Sequence, residues 1–287
     1  MYNVVKANGI VEPFSEDKLI SSIRRARVPE GSLDDTLSYI KSKLYNNITT
    51  AEIYHHITEH LGKSPHPYIK ARYSLKQAIM NLGPTGYPFE DFVSKIFEEQ
   101  GYTTLVRQVL MGKCVSHEVD VIAEKEGRKI VIEAKFHNNP GVRSDVHVAL
   151  YTKARFDDVK EKHGLAESWI VTNTKATTDA IAYAECVGMK IVSWSYPEGE
   201  SLRDLIERAN LHPITMLTTL SLSQKQYLLE NHFVMCKDIK TQPTIIDMLH
   251  LTREEKKTVF EEIDVICGNE KSLDTHKIND NSTRVTY

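Results

Sequence analysis

Along the first 83 residues, short β-like runs give way to apolar positions at helical spacing. The β-like runs are residues 2–7 and 10–14, and between them lie Asn8 and Gly9, a pair typical of hairpin turns. Ser15 follows as a candidate helix N-cap. Further helical patterns lie near residues 32–46, 50–62 and 66–82. This segment therefore predicts a β-hairpin with a small helical bundle.

A different pattern begins after Gly83 and Pro84, which together break the helical periodicity. An apolar helical face lies within residues 89–97. The predicted elements that follow are strands at 102–110, 117–124 and 129–136, a helix at 145–163, a strand at 168–172, a helix at 177–187 and a strand at 190–194. Strands mixed with crossover helices are typical of an α/β sandwich with a mixed sheet.

A second break, at residues 197–199, precedes a helical region that extends to about residue 266. The last twenty residues are polar and without period, and we expect them to form a disordered tail. The pattern thus divides the chain into residues 1–83, 84–198, 199–267 and 268–287. The fold class that it predicts is α/β, with helical segments on both sides of the central one.

Composition narrows the class of protein without fixing it. Hydrophobic residues make up 41% of the chain and charged residues 26%, an ordinary balance for a globular protein. The net charge of −3 gives no overall attraction to nucleic acid, but a nuclease needs only a local basic groove. No apolar stretch is long enough for a membrane span or a signal peptide, so we expect a cytoplasmic protein that does not bind membranes. No two of the four cysteines form a CxxC pair, which favours free thiols over a zinc site.

Three charged residues interrupt the apolar strands of the central segment. Asp120 lies in the second predicted strand, and Glu133 and Lys135 lie in the third. Residues two apart in a strand share a face, so Glu133 and Lys135 point the same way. A hairpin near Gly127 would bring Asp120 back beside Glu133. The pattern therefore predicts two carboxylates and an ammonium group at one end of a sheet.

This set of groups suits phosphodiester hydrolysis. Mg²⁺ prefers oxygen ligands and keeps several waters, so two carboxylates suffice from the protein. A lysine can position the attacking water and offset the charge that develops on the phosphate. Glu90, near the start of the preceding helix, is placed to supply a further acid. The alternative is an amphipathic strand pair whose charged residues only face solvent, and pattern alone leaves both interpretations open.

The segment from residue 87 to about 194 resembles the Mrr-like restriction endonucleases of the PD-(D/E)xK superfamily. The matching stretches are FEDFVSKIFEEQGY, HEVDVIA, IVIEAKFH and WIVTNTKATTDAIAYAE. The resemblance implies an αβββαβ core in which Asp120, Glu133 and the Ala134 carbonyl bind the metal. It further implies Lys135 as the catalytic lysine and Glu90 as a helix-borne acid.

The N-terminal segment resembles an ATP-cone domain. The matching stretches are VVKANGIVEPFSEDKLISSIRRA, ITTAEIYHHITEHL and YIKARYSLKQAI, which together span the segment. The resemblance implies a site for ATP or dATP, with Lys6 and Lys18 on the phosphates. It places Glu12, Thr50 and Tyr54 around the rest of the nucleotide. The chain contains no Walker loop, so we expect the nucleotide to be bound and sensed rather than hydrolysed.

Together these features predict an endonuclease that cuts double-stranded DNA with Mg²⁺ or Mn²⁺ and responds to ATP or dATP, with a role in restriction or phage defence. Cone domains commonly act through oligomerisation, so we expect a homo-oligomer. The alternative is a nucleotide-sensing DNA-binding regulator without nuclease activity, and a third hypothesis is a nuclease for RNA or DNA junctions. Residues 211–239 faintly resemble a helix-hairpin-helix DNA-binding unit, with a helical cap as the alternative.

Overall fold

The computed structural model describes residues 2–26, 28, 30–63 and 69–268. From residue 269 onward, the predicted disordered tail lies outside these described residues. The fold is mixed α/β, as predicted, with helical segments at both ends of a central sheet. The boundaries at residues 83 and 198 stay predictions, because elements on either side of each pack into one apolar core.

The N-terminal segment forms the predicted hairpin with helices around it. Its strands are β1 (Asn3–Val5), β2 (Val11–Pro13) and β3 (Ile48–Thr49). Its helices are α1 (Glu16–Arg25), α2 (Glu30–Lys43), α3 (Thr50–Gly62), α4 (Ile69–Tyr73) and α5 (Leu75–Met80). The hairpin loop contains Gly9, whose φ of 81° is a conformation that glycine adopts without a steric cost. Ser15 caps α1 as predicted, since its side chain accepts from the Lys18 N–H.

Two features of this segment differ from the prediction. The pattern over residues 66–82 predicts one helix, whereas the described part of that range holds the two short helices α4 and α5. Both helices bury apolar residues, so the helical periodicity continues across the break between them. Strand β3 was not predicted, because two residues are too few to show alternation. It pairs parallel to β1, with Val4 opposite Ile48.

The central segment holds the predicted αβββαβ order. Its helices are α6 (Tyr87–Glu99), α7 (Val146–His163) and α8 (Thr178–Cys186). Its main strands are β4 (Thr103–Met111), β5 (Ser116–Lys125), β6 (Arg128–Lys135), β8 (Leu165–Thr172) and β10 (Lys190–Val192). Two short strands, β7 (Arg143–Ser144) and β9 (Lys175–Ala176), form a separate parallel pair that was not predicted.

The five main strands form one mixed sheet in the order β10-β8-β6-β5-β4. The β10–β8 and β8–β6 pairs are parallel, and the β6–β5 and β5–β4 pairs are antiparallel. Glu126 and Gly127 connect β5 to β6, and both have positive φ, as a two-residue type I′ turn requires. This tight turn fixes the register of β5 on β6, which positions the charged residues described below.

Helices cover both faces of the sheet. On one face, Ile130, Ile132 and Ala134 of β6 belong to the large core that includes Phe89 and Phe92 of α6. On the other face, Val131 packs in a smaller cluster with Val159 of α7. Residues of β6 therefore alternate between the α6 side and the α7 side, as the pleat of a strand requires.

The C-terminal segment is helical. It comprises α9 (Leu202–Ala209), α10 (Leu222–Glu230), α11 (Cys236–Thr241) and α12 (Arg253–Cys267), with 3-10 turns at Ile214–Met216 and Pro243–Leu249. Its apolar residues continue the core beneath α6, and the buried Glu262 carboxylate accepts bonds from the N–H and hydroxyl groups of Thr218 and Thr219. No helix in the described part of the chain is long and apolar enough to cross a membrane.

Candidate active site

Asp120 and Glu133 lie where β5 and β6 separate. The ladder between the two strands ends with Val121 opposite Ile132, and the next residues in that register are Asp120 and Glu133. Instead of continuing the ladder, Asp120 uses its side chain, since Oδ2 accepts from the Ala134 N–H at 2.7 Å. The first two predicted site residues therefore face each other across the opening.

Lys135 lies at the same end of the sheet as Asp120 and Glu133. It lies two residues beyond Glu133 on β6, so both side chains project toward the α7 side of the sheet. On its other edge β6 pairs with β8, with Lys135 opposite Thr172. The structure thus brings Asp120, Glu133 and Lys135 to one end of the sheet, as the sequence predicts.

The two carboxylates are electrostatically strained. Burial raises the pKa of Asp120, and burial followed by the charge of Asp120 raises the pKa of Glu133. The positive charges of Arg155 and Lys135 act in the opposite direction on both groups without cancelling the effect. A cation placed between the carboxylates would relieve this strain.

Arg155 of α7 is a site residue that sequence analysis missed. Its Nη1 lies 2.7 Å from Glu133 Oε2, and both side chains are largely buried. Its guanidinium also lies over the Tyr151 ring, 5.0 Å from the centroid. The helical pattern placed Arg155 on α7 but gave no signal of the distant residue that it contacts.

Glu90 approaches the site from α6. It is buried, and burial followed by the charge of Asp120 raises its pKa to about 7. Arg107 opposes this shift, with Nη1 at 3.3 Å from Glu90 Oε2. The predicted helix-borne acid is therefore close enough to Asp120 for their charges to interact.

Arg107 is a second residue that sequence analysis missed. The pairs Val106–Val121 and Gln108–Val119 set a register in which Arg107 lies opposite Asp120. Its φ of 53° is unusual for a non-glycine residue within a strand. Its Nη2 lies 2.8 Å from Asp91 Oδ1, so one guanidinium binds two neighbouring carboxyl groups of α6. Such local strain is often found at functional sites.

The predicted nucleotide-binding residues also converge. The Glu12 carboxylate forms ion pairs with Lys6 at 2.7 Å and with Lys18 at 3.1 Å. The hydrogen bonds from these two ammonium groups lower the pKa of Glu12. Glu12, Lys18, Thr50 and Tyr54 line a cavity of about 380 Å³. Lys6 is connected to these residues by its ion pair with Glu12. Thr50 begins α3, while the cap itself is the preceding Thr49.

Three family models match successive parts of the chain. Residues 2–79 match the ATP cone domain family, residues 84–205 match the Restriction endonuclease family, and residues 212–267 match the AF1548-like C-terminal family. An uncharacterized protein of Archaeoglobus fulgidus is 43% identical over 147 residues, which are 51% of this chain and 83% of the relative. A crystal structure of AF1548, described as a protein of unknown function, has a TM-score of 0.56 at 37% identity. The alignment covers 64% of this chain and 100% of the AF1548 chain.

The chain belongs to the AF1548-like family. This AF1548-like protein combines an ATP cone with a restriction endonuclease-like domain, as its sequence motifs predict. The two relatives named above are described as uncharacterized and as of unknown function, so an activity has to be inferred from the geometry of the site.

The donor set of the AF1548-like protein fits a metal that prefers oxygen. The described residues contain no group of three or more His, Cys, Asp and Glu residues that could hold a metal. Two carboxylates, Asp120 and Glu133, and the Ala134 carbonyl form a smaller set. Mg²⁺ accepts such a set because it keeps several of its waters. Arg155 would have to release Glu133 Oε2 for that oxygen to bind a cation.

Two histidines near the site have structural partners. His117 Nε2 lies 2.8 Å from Asp158 Oδ2, and both side chains are largely buried. His137 Nε2 lies 2.9 Å from Ser144 Oγ, and the backbone N–H of His137 donates to Asn173 Oδ1 at 2.8 Å. These contacts connect the strands of the AF1548-like protein to the loops and helix around them, which agrees with a structural role.

Proposed function

We propose that this AF1548-like protein is a metal-dependent endonuclease that hydrolyses phosphodiester bonds in double-stranded DNA and is regulated by ATP or dATP. The observation that carries the proposal is the convergence of Asp120, Glu133 and Lys135 where β5 and β6 separate. The restriction endonuclease-like family of residues 84–205 supports the reaction class. The cone supports the nucleotide response.

Each site residue has a role that follows from its position. Asp120, Glu133 and the Ala134 carbonyl would hold Mg²⁺ or Mn²⁺, which when bound polarises the phosphate and lowers the pKa of a coordinated water. Lys135 shares the face of Glu133, so its ammonium group can hold the attacking water and offset charge on the phosphate. Glu90, with a pKa of about 7, exchanges a proton near neutral pH and can hold one beside Asp120.

The cone would bind the effector without hydrolysing it. Lys6 and Lys18 would contact the phosphates, and Glu12, Thr50 and Tyr54 would line the remainder of the nucleotide. Binding would shift a homo-oligomer between active and inactive forms, a coupling of about 1–3 kcal/mol. Such a nucleotide-responsive DNA nuclease suits a role in restriction or in defence against phage.

One observation favours the alternative, a nucleotide-sensing DNA-binding regulator without nuclease activity. Arg155 already neutralises Glu133, so the carboxylate has a partner without any metal. The raised pKa values of Asp120 and Glu133 argue the other way, because a protein that only bound DNA would gain nothing from two largely buried acids whose charged forms are disfavoured.

Cleavage of supercoiled plasmid distinguishes these functions. The wild-type protein is incubated with Mg²⁺, Mn²⁺ or EDTA, each with and without ATP or dATP. We expect nicked and linear DNA only with a metal, at a rate that the nucleotide changes. Glu133→Gln should abolish cleavage, while Glu124→Gln, which removes an acid from β5 that pairs with Lys129, should not. Failure of the wild type to cut plasmid, RNA or branched DNA would favour the regulator.

A further inference from the structure

The cavity of about 380 Å³ that the predicted nucleotide-binding residues line extends from the cone into the segment that follows β10. Its cone wall includes Glu12, Lys18 and Tyr54, while Trp194 and Arg203 close the opposite side. Those last two residues lie within the match to the Restriction endonuclease family. A ligand in this cavity would therefore touch both domains at once.

The closing wall carries groups suited to a purine nucleotide. Lys76 Nζ lies over the Trp194 ring, 5.1 Å from its centroid. The Nε of Arg203 is buried and has no hydrogen-bond partner among the described residues. An aromatic ring beside an unsatisfied donor favours a ligand with a flat ring and polar edges.

Positive charge accumulates at the edge of the same region. Lys175 of β9 pairs with Arg143 of β7 in the parallel ladder, and the charges of Lys6, Lys18 and Glu12 also act on its ammonium group. Burial, and after it the charges of Lys6 and Arg143, lower the pKa of Lys175. Glu12 is already bound by Lys6 and Lys18.

Two of these cations lack partners of their own. Within residues 2–26, 28, 30–63 and 69–268, neither Lys175 nor Arg143 forms an ion pair with a carboxylate. Lys6, Lys18, Arg143 and Lys175 outnumber the two carboxylates of the cavity wall, Glu12 and Glu207, and this leaves an excess of positive charge that a polyphosphate would neutralise.

We propose that the nuclease domain completes the nucleotide site: Lys175 and Arg143 bind the phosphates of a purine nucleoside triphosphate together with Lys6 and Lys18 of the cone, and Trp194 and Arg203 close over its nucleoside. This inference rests on the nucleotide regulation proposed above. It adds the residues outside the cone that bind the phosphates. It also adds a path of contacts from these residues to β6, the strand that carries Lys135.

That route is short. Lys175 follows Thr172 by three residues, and Thr172 pairs with Lys135 in the sheet. Ser144 Oγ donates to Thr172 Oγ1 at 3.1 Å and lies 2.9 Å from His137 Nε2, two residues beyond Lys135. A phosphate held by Lys175 therefore acts on a hydrogen-bonded network around the end of β6 that carries Lys135.

A second contact joins the same parts. The loop that follows β6 reaches the cone hairpin, where a Cβ placed on Gly141 would lie 2.7 Å from the Ala7 carbonyl oxygen. Ala7 directly follows Lys6 in the sequence. Movement of Lys6 toward a phosphate would therefore be transmitted to the loop beyond Lys135 as well.

Calorimetric titration with adenosine, AMP, ADP and ATP tests the proposal, using wild type, Lys175→Ala and the control Lys113→Ala. Lys113 is an exposed lysine of the nuclease domain in the loop between β4 and β5, where it pairs with Glu161 of α7. We expect Lys175→Ala to weaken ATP binding about tenfold or more, to weaken AMP binding less, and to leave adenosine binding unchanged. The control should bind ATP like the wild type.

Hydrogen exchange supplies a second readout in the same proteins. ATP should protect amides at residues 134–137 and 172–176 in wild type, and this protection should be lost in Lys175→Ala. If Lys175→Ala binds ATP as tightly as wild type, the shared site is wrong although the cone still binds nucleotide. If wild type binds no nucleotide, the proposed regulation itself fails, which is a distinct result.

Discussion

Asp120 Oδ2 accepts a hydrogen bond from the Ala134 N–H at 2.7 Å, in place of the backbone bond that would continue the β5–β6 ladder. This bond holds the carboxylate at the edge of the opening, opposite Glu133. The N–H that it accepts belongs to the same residue as the third proposed metal ligand, the Ala134 carbonyl, which lies in the following peptide. This side-chain contact thus fixes the Asp120 carboxylate beside the stretch of β6 that carries the other two proposed oxygen donors.

Asp120→Asn separates this structural role from charge. The amide oxygen can still accept from Ala134, so the fold should persist. Because burial raises the pKa of Asp120, its charge costs stability at pH 8, and the variant should be the more stable protein there. Plasmid cleavage should fall about 100-fold or more. Denaturant unfolding and cleavage assays check both, and a variant that cuts normally would remove Asp120 from the site.

Arg155 should act as the internal cation of Glu133 when no metal is bound. Arg155→Gln would leave a largely buried carboxylate without its partner, so the free energy of unfolding in EDTA should fall by about 2–3 kcal/mol. Mn²⁺ should then stabilise this variant more than the wild type, because the cation no longer competes with Arg155.

Thermal unfolding with and without Mn²⁺ measures this difference, and Lys153→Gln serves as the control. Lys153 lies on the same helix but pairs with Asp157 rather than with a site residue. An equal Mn²⁺ effect in wild type and Arg155→Gln would show that Glu133 does not bind the cation.

Glu90 should make stability depend on pH between its ordinary pKa of 4.5 and its folded value of about 7. A carboxyl whose folded pKa is raised binds more protons in the folded state, so its stabilising effect is present below pH 4.5 and lost as the pH rises through 7. Glu90→Gln should remove that decline and be the more stable protein at pH 8. Unfolding midpoints of both proteins from pH 5 to 8 test this, and parallel curves would contradict it.

Gly141 should be required for communication between the cone and the nuclease domain. Gly141→Ala places a methyl group against the Ala7 carbonyl, so the hairpin and the loop must separate. We expect plasmid cleavage without nucleotide to stay near the wild-type rate, while the change caused by ATP shrinks several-fold. Gly31→Ala is the matched control, because a Cβ there meets nothing within 4 Å. An unchanged ATP effect in Gly141→Ala would exclude this contact as a route.

The parts of the site that sequence analysis predicted depend on local signals. Alternation along β5 and β6, and a glycine turn between them, suffice to place Asp120 beside Glu133, because a two-residue turn fixes the register. Lys135 follows from the two-residue period of a strand. Glu90 follows from its place at the start of α6.

The residues that were missed depend on long-range packing. Arg155 meets Glu133 only because α7 crosses the sheet, and Arg107 meets Glu90 only because β4 lies beside β5 with an unusual φ at that residue. The parallel pair β7–β9, which brings Arg143 beside Lys175, has two residues in each strand and leaves no periodic signal. The pattern of residue types along a single sequence does not reveal such contacts.

Cleavage of supercoiled plasmid by Lys135→Ala, compared with Lys129→Ala, tests whether a nuclease site lies where β5 and β6 separate. Both lysines lie on β6 and on the same face, but Lys129 pairs with Glu124 at 3.6 Å near the other end of the strand. We expect Lys135→Ala to lower the cleavage rate about 100-fold or more, while Lys129→Ala cuts like the wild type. Equal rates for the two variants, or cleavage by Lys135→Ala at the wild-type rate, would contradict a nuclease site at the junction of β5 and β6.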